Sequence, residues 1–162
     1  MTHTTRWLGA ALALWLATGC SDDRQAAPDA AAPTAAPQIT VYKSPTCGCC
    51  GKWVDHLRSD GFVVAVVDEQ NLAPRKSELG VPERFGSCHT AVVDDYVIEG
   101  HVPATDIRRL LRERPAARGL AVPGMPIGSP GMEMGERRDP YTVWLFDAGE
   151  PPQAFSRHGD AN

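Results

Sequence analysis

The sequence predicts an α/β domain in which helices flank a central mixed sheet. Three observations support this class. Runs of β-branched and apolar residues alternate with helical segments, a cluster of cysteines separates the first such run from the first helix, and two later runs flank a tight turn. A chain of 162 residues has room for one such domain with appendages.

The first half of the domain predicts a strand, a helix, a second strand and a short helix. Residues 39–43, ITVYK, are β-branched and aromatic and predict the first strand, while residues 49–60 predict a helix. The continuous apolar run FVVAVV at residues 62–67 predicts a strand buried on both faces. A short helix is expected at residues 72–79.

The second half predicts a hairpin, a helix, a loop and added C-terminal strands. Two runs within residues 90–99 flank a tight turn, and Pro103 is expected at the first position of a helix. Residues 119–135, rich in Met, Gly and Pro, lack periodicity and predict a loop. Residues 142–146, TVWLF, predict a strand that pairs with residues 154–156. Strand, cysteine turn, helix, strand, hairpin and helix is the order of a thioredoxin-like fold.

The N-terminal part predicts targeting and attachment. Residues 1–19 combine one Arg, a short apolar run and small residues, as a secretory signal does. They run into Ala-Thr-Gly-Cys, which resembles the bacterial lipobox and implies lipidation of Cys20; an ordinary signal peptide with an incidental cysteine is the alternative. The residue after Cys20 is Ser21 rather than Asp, which favours sorting of the lipidated protein to the outer membrane. Residues 20–38 are Ala/Pro-rich and predict a tether, which leaves residues 39–158 for the domain.

Cysteine is the informative part of the composition. The chain has five cysteines, and a domain held together by disulfides needs an even number at spread spacings. The 16 basic and 20 acidic residues give a net charge of −4, without the basic cluster of a nucleic-acid-binding protein. We therefore expect a thiol or metal centre in the periplasm, no nucleic-acid partner, and membrane contact through the N-terminal lipid anchor only.

The motif CGCC follows the first predicted strand and contains Cys47, Cys49 and Cys50. A helix N-terminus favours a thiolate, so Cys47 and Cys50 could act as the nucleophile and resolving thiol of a thiol–disulfide oxidoreductase. Thioredoxins place a cis-proline opposite this motif, whereas here that position holds Cys88. Four converging thiols exceed what a dithiol exchanger needs and suit a soft metal. A structural zinc site is a third interpretation, although adjacent cysteines fit its paired spacing poorly.

Further candidate ligands are thioethers and imidazoles. Met125 and Met132 lie in the predicted loop, and thioethers select Cu(I) over zinc; the filling of apolar gaps is the alternative. His89 adjoins Cys88, and His101 precedes the predicted helix. Each histidine is a possible metal ligand, with a structural role as the alternative. Neighbours on a strand point to opposite faces, so Cys88 and His89 need not share a site.

Four motifs together resemble the CopG-type copper-resistance proteins: YKSPTCGCC with a following Trp, SCHTA, EGHVPA and GLAVPGMP-x-GSPGME. They cover about residues 39–144. The resemblance implies a thioredoxin-like fold, periplasmic copper handling and a multinuclear Cu(I)/Cu(II) site in which Cys47, Cys49, Cys50 and Cys88 are the thiolates. It also implies redox chemistry toward copper, which allows an oxidoreductase activity, and other periplasmic copper-resistance proteins as partners.

Overall fold

The computed structural model describes residues 36–147 and 151–159. The predicted signal sequence, the predicted lipidation site Cys20 and nearly all of the predicted tether lie outside these residues. In the part of the chain that is described, no helix has the length and apolar character to cross a bilayer.

Seven strands, three α-helices and one 3₁₀ turn form within those two ranges. In chain order they are β1 (Gln38–Lys43), α1 (Gly48–Ser59), β2 (Val63–Asp68), α2 (Ala73–Glu78), the 3₁₀ turn (Glu83–Phe85), β3 (His89–Val93), β4 (Tyr96–Glu99), α3 (Ala104–Glu113), β5 (Gly119–Ala121), β6 (Tyr141–Phe146) and β7 (Gln153–His158).

The strands form one mixed sheet in the order β2-β1-β3-β4-β5-β6-β7. β1 pairs in parallel with β2, β4 pairs in parallel with β5, and the other pairs are antiparallel. This arrangement confirms the predicted α/β class with a central mixed sheet and added C-terminal strands. The register sets Lys43 opposite His89, so the chain leaving β1 enters the cysteine turn beside the start of β3.

Two clusters of buried apolar side chains pack on the sheet. One face packs against α1 and α3 through buried residues that include Trp53, Leu57 and Ile107. The other face carries a smaller cluster around Phe85 and Phe146. Each such side chain contributes roughly 1.5–3 kcal/mol when fully buried, so the larger cluster holds α1 and α3 on the sheet.

β2 is an edge strand, and the prediction that its apolar run is buried on both faces was wrong. Within the described sheet it pairs with β1 alone. Val63, Val66 and Val67 are 54%, 37% and 39% exposed. A continuous apolar run has no periodicity that would tell a covered strand from an uncovered one, so the sequence could not decide between them.

Two predicted boundaries also differ from the structure. Pro103 is the N-cap of α3 rather than its first helical residue, with an extended backbone at φ −61° and ψ 141°. The segment predicted as a loop over residues 119–135 begins with β5, Gly119–Ala121. Three residues are too few for alternation to reveal a strand.

Candidate metal centre

The cysteine turn is built by the end of β1 and the start of α1. The backbone N–H of Cys47 donates to the Ser44 carbonyl at 3.1 Å, which closes the turn and makes Cys47 the N-cap of α1. Cys49 and Cys50 follow in the first helical turn, where Cys50 is fully buried and Cys49 is half-buried. Cys47 and Cys50 form a disulfide, as a C-x-x-C pair can, and Cys49 is a free thiol.

Cys88 lies opposite this turn, as predicted. It immediately precedes β3, and its Sγ is 4.0 Å from the Sγ of Cys49, which is in turn 3.5 Å from that of Cys47. The Sγ of Cys50 lies 3.7 Å from the Cys88 carbonyl oxygen. The four sulfur atoms all lie within 4.8 Å of one another. The strand register therefore brings together four cysteine sulfur atoms from residues up to 41 positions apart in the sequence (88 − 47).

Two histidines complete a second donor group around Cys88. The Sγ of Cys88 is 3.1 Å from His101 Nε2 and 3.3 Å from His89 Nδ1. These three ligand atoms lie within 4.8 Å of one another. The alternation argument that could have separated Cys88 from His89 does not apply, because Cys88 precedes the first paired residue of β3.

His101 is held in the tautomer that a metal ligand needs. Its Nδ1 lies 2.8 Å from the Pro130 carbonyl oxygen, which can only accept, so Nδ1 carries the proton and Nε2 presents its lone pair toward Cys88. Burial lowers the pKa of His101 below its usual value of 6.5, and the hydrogen bond to Pro130 offsets this in part. The ring is therefore neutral at neutral pH.

His89 has a buried nitrogen that lacks a partner. Its side chain is fully buried, with its ring 4.3 Å from that of Trp53 and 4.9 Å from that of His101. Its Nε2 has no hydrogen-bond partner among the described residues. Burial, and then the neighbouring His101 and Lys76, lower the pKa of His89 well below 6.5. Because the neutral ring faces Cys88 through Nδ1, that nitrogen can bind a metal beside Cys88, and the ring proton then stays on Nε2.

The Cys88 thiol is electrostatically unfavourable as a lone thiolate. Burial, followed by the proximity of Cys49, raises its pKa from 9.0 to about 12. A cation at the centre would stabilise the charged form, because metal binding requires and favours the deprotonated ligand. The donor set of soft sulfurs and neutral imidazoles fits copper or zinc, whereas it suits magnesium and calcium poorly.

Residues 122–135, called the methionine loop below, contact the segments that carry the centre. The Pro130 carbonyl binds His101, and the Gly124 carbonyl accepts the Ser87 hydroxyl at 2.5 Å. A Cβ on Gly131 would lie 2.7 Å from the Cys49 carbonyl oxygen, so this loop touches the first turn of α1. The loop therefore contacts all three segments that carry the site residues: the segment before α3, the segment before β3 and the start of α1.

The methionine side chains themselves have mixed exposure. Met125 is 51% exposed and Met134 is 61% exposed, whereas Met132 is half-buried. Met125 follows Gly124, whose carbonyl accepts the Ser87 hydroxyl, and Met132 follows Gly131, which packs against the first turn of α1. Ligation by Met125 and Met132 stays a prediction.

The remaining histidines of the described domain have structural partners away from the sulfur cluster. His56 Nε2 accepts the Ala104 backbone N–H at 3.1 Å and so caps α3. His158 Nε2 lies 2.7 Å from Asp106 Oδ2 and fixes the end of β7.

Sequence reasoning missed Glu99 and Lys76. Glu99 is fully buried at the end of β4 and pairs with Lys76 of α2. The motif EGH places Glu99 two positions before His101 at the end of an otherwise apolar strand, but nothing in the motif marks the carboxylate as buried.

The fold and this site together define an α/β protein with a cysteine–histidine centre suited to a soft metal. Two solved structures of copper resistance protein CopG, forms 2 and 1, superpose on the chain with TM-scores of 0.73 and 0.72. Each is 46% identical in sequence, and each match covers 76% of this chain and 98% of the other. The chain belongs to the CopG family of copper resistance proteins.

Two further comparisons complete this picture. Residues 85–132 match a family described as a protein of unknown function, DUF411. That segment contains Cys88, both site histidines and most of the methionine loop. No curated protein sequence matches the chain.

Proposed function

We propose that this protein is a copper-binding protein of the bacterial envelope that acts in copper resistance and holds more than one copper ion. The observation that carries this proposal is the position of Cys88. Its Sγ belongs both to the four-cysteine group and to the group formed with His89 and His101. One thiolate can bridge two Cu(I) ions, so a shared sulfur joins the two groups into one multinuclear site.

The number of donors supports more than one ion. Four cysteine sulfurs and two imidazoles make six ligands, whereas one tetrahedral ion takes four. Met125 and Met132 would add thioethers, which favour Cu(I). The adjacent pair Cys49 and Cys50 fits a bridged cluster better than a zinc site, whose cysteines usually come in separated pairs.

Redox activity toward copper is part of the proposal. The Cys47 and Cys50 thiols can form a disulfide, and this oxidation releases two electrons and two protons. Two Cu(II) ions each accept one electron and become Cu(I). Cys49 and Cys88 remain free beside the two histidines and would retain Cu(I). A thiol reductant of the compartment would then restore the dithiol.

A thiol–disulfide oxidoreductase is the second candidate, favoured by the same disulfide between Cys47 and Cys50. In that function Cys47 is the attacking thiol and Cys50 resolves the mixed disulfide. It gives no role to Cys88 or to the two histidines beside it. Catalytic turnover of a protein disulfide by metal-free protein, abolished by Cys47→Ser and unaffected by Cys88→Ser, would favour it.

Anchorage in the outer membrane through a lipid on Cys20 is proposed from the lipobox alone. The mass of the N-terminal peptide of membrane-purified protein tests it. A diacylglycerol-modified Cys20 supports the anchor, and cleavage without a lipid contradicts it.

The central experiment is an anaerobic titration of the fully reduced protein with Cu(I), in competition with a chromogenic chelator. We expect more than one tightly bound copper ion per chain. A parallel titration with zinc is the comparison. Saturation below one copper equivalent, or displacement of copper by stoichiometric zinc, would contradict the proposed function.

A further inference from the structure

Glu99 is a buried carboxylate with three donors around it. Its side chain is fully buried, and its Oε1 accepts the Ser87 backbone N–H at 2.6 Å. Its Oε2 accepts the Thr90 hydroxyl at 2.6 Å. The Lys76 ammonium contacts Oε1 and also donates to Thr90 Oγ1 at 2.8 Å. Each carboxylate oxygen is therefore satisfied, and the charge is balanced by a lysine from α2.

A buried ion pair is a poor device for stability alone. The free energy needed to remove two charges from water offsets much of their mutual attraction. Proteins in which apolar residues of similar volume replace such a pair are often as stable. Stability of the core alone therefore does not explain the pair formed by Lys76 and Glu99. Its place in the fold supplies one, because it lies directly behind the segment that presents Cys88.

Ser87 is fixed from two sides immediately before Cys88. Its N–H is held by Glu99, and its hydroxyl donates to the Gly124 carbonyl of the methionine loop. Gly100, at φ +74°, has no room for a side chain, since a Cβ there would lie 2.6 Å from Ser87 Oγ. The end of β4 thus fixes the position of the backbone next to Cys88 through one hydrogen bond and one close contact.

We propose that Glu99, with its charge balanced by Lys76, is a positioning residue that holds Ser87 so that the Sγ of Cys88 reaches both donor groups. For its consequence in copper binding this inference rests on the proposed function. The placement of the Cys88 thiol can be measured without copper. Replacing a residue that positions a metal ligand commonly weakens metal binding by about 10- to 100-fold.

The test uses Glu99→Gln, Lys76→Met and the double variant in the mature chain. Glu69→Gln is the matched control, because Glu69 pairs with Arg75, the residue next to Lys76, at 2.8 Å and with partial burial on both sides. Metal-free protein is examined by denaturant unfolding, by amide hydrogen exchange at Ser87 and by the alkylation rate of Cys88. Copper-loaded protein is examined by Cu(I) competition and by the copper–thiolate absorption spectrum.

We expect Glu99→Gln to speed exchange at Ser87 and alkylation of Cys88 by about tenfold, and to weaken Cu(I) binding by about 10- to 100-fold with a changed spectrum. Glu69→Gln should leave the Ser87 exchange, the Cys88 alkylation, the Cu(I) affinity and the spectrum unchanged. Lys76→Met leaves a buried charge unpaired and should destabilise the fold. The double variant should regain that stability while the Ser87 exchange, the Cys88 alkylation and the copper signals stay altered.

Two results would overturn the positioning role. One is wild-type exchange, alkylation and spectrum in Glu99→Gln; the other is a double variant that restores all of them together with stability. A wild-type protein that binds no copper would instead refute the proposed function, and the metal-free measurements would still decide the role of Glu99.

Discussion

Replacing Cys88 with serine tests the central feature of the site. Among the described side chains, Cys88 alone contributes an atom to both donor groups. Serine keeps the shape of the side chain and removes the soft ligand. A zinc-finger site of four ligands has a binding free energy of about 10–16 kcal/mol, so one ligand corresponds to about 2.5–4 kcal/mol, or roughly 10²- to 10³-fold in affinity.

Because Cys88 serves both groups, its loss should lower the number of tightly bound copper ions as well as their affinity. Cys47→Ser is the matched comparison, since Cys47 belongs to the four-cysteine group only. The assay is anaerobic Cu(I) titration of both variants against wild type, with the free energy of unfolding measured in parallel. We expect a stability change of about 1 kcal/mol in Cys88→Ser, because its sulfur forms only weak hydrogen bonds.

Equal copper stoichiometry in Cys88→Ser and wild type would refute the shared-sulfur argument. A variant that keeps its copper and loses disulfide reductase activity would favour the oxidoreductase alternative.

The remaining predictions concern variants of the methionine loop and the protons released when copper binds. Met125→Leu and Met132→Leu should speed copper dissociation while costing less than about 1.5 kcal/mol of stability; a large stability loss with normal retention would make them packing residues. Gly131→Ala should speed copper dissociation and destabilise the fold by about 1–3 kcal/mol, because its Cβ would meet the first turn of α1 at 2.7 Å; Gly124→Ala, with φ +70° and open space, is the control. Copper loading at pH 8 should release a proton from Cys88, whose pKa is raised to about 12, and affinity should fall with decreasing pH. Loading without proton release in a pH-stat would contradict this.

The sulfur cluster could be predicted because local signals and topology agree. The CGCC motif follows a strand with clear β propensity, and the hairpin order places Cys88 beside that strand. His101 was identifiable by its place between a strand end and a helix start. These features depend on the order of elements, which the sequence encodes locally.

Other features depend on tertiary contacts that no local pattern encodes. Glu99 at a strand end resembles any exposed acid, and its partner Lys76 lies 23 positions earlier on a short helix. The exposed β2 valines have the same composition as a covered strand, because what covers a strand is decided by the rest of the fold. The proximity of His89 to Cys88 depends on where β3 begins, which alternation alone does not fix.

The ligands of the centre come from three separate parts of the chain: the start of α1, the start of β3 and the segment between β4 and α3. Copper bound as proposed would therefore act as a cross-link between them. A ligand that binds only the folded state stabilises it by about 4 kcal/mol at a thousandfold excess over its dissociation constant. Copper-loaded protein would resist unfolding and proteolysis longer than metal-free protein. The amount of this protein in the cell would then rise and fall with the copper supply, without any change in its synthesis.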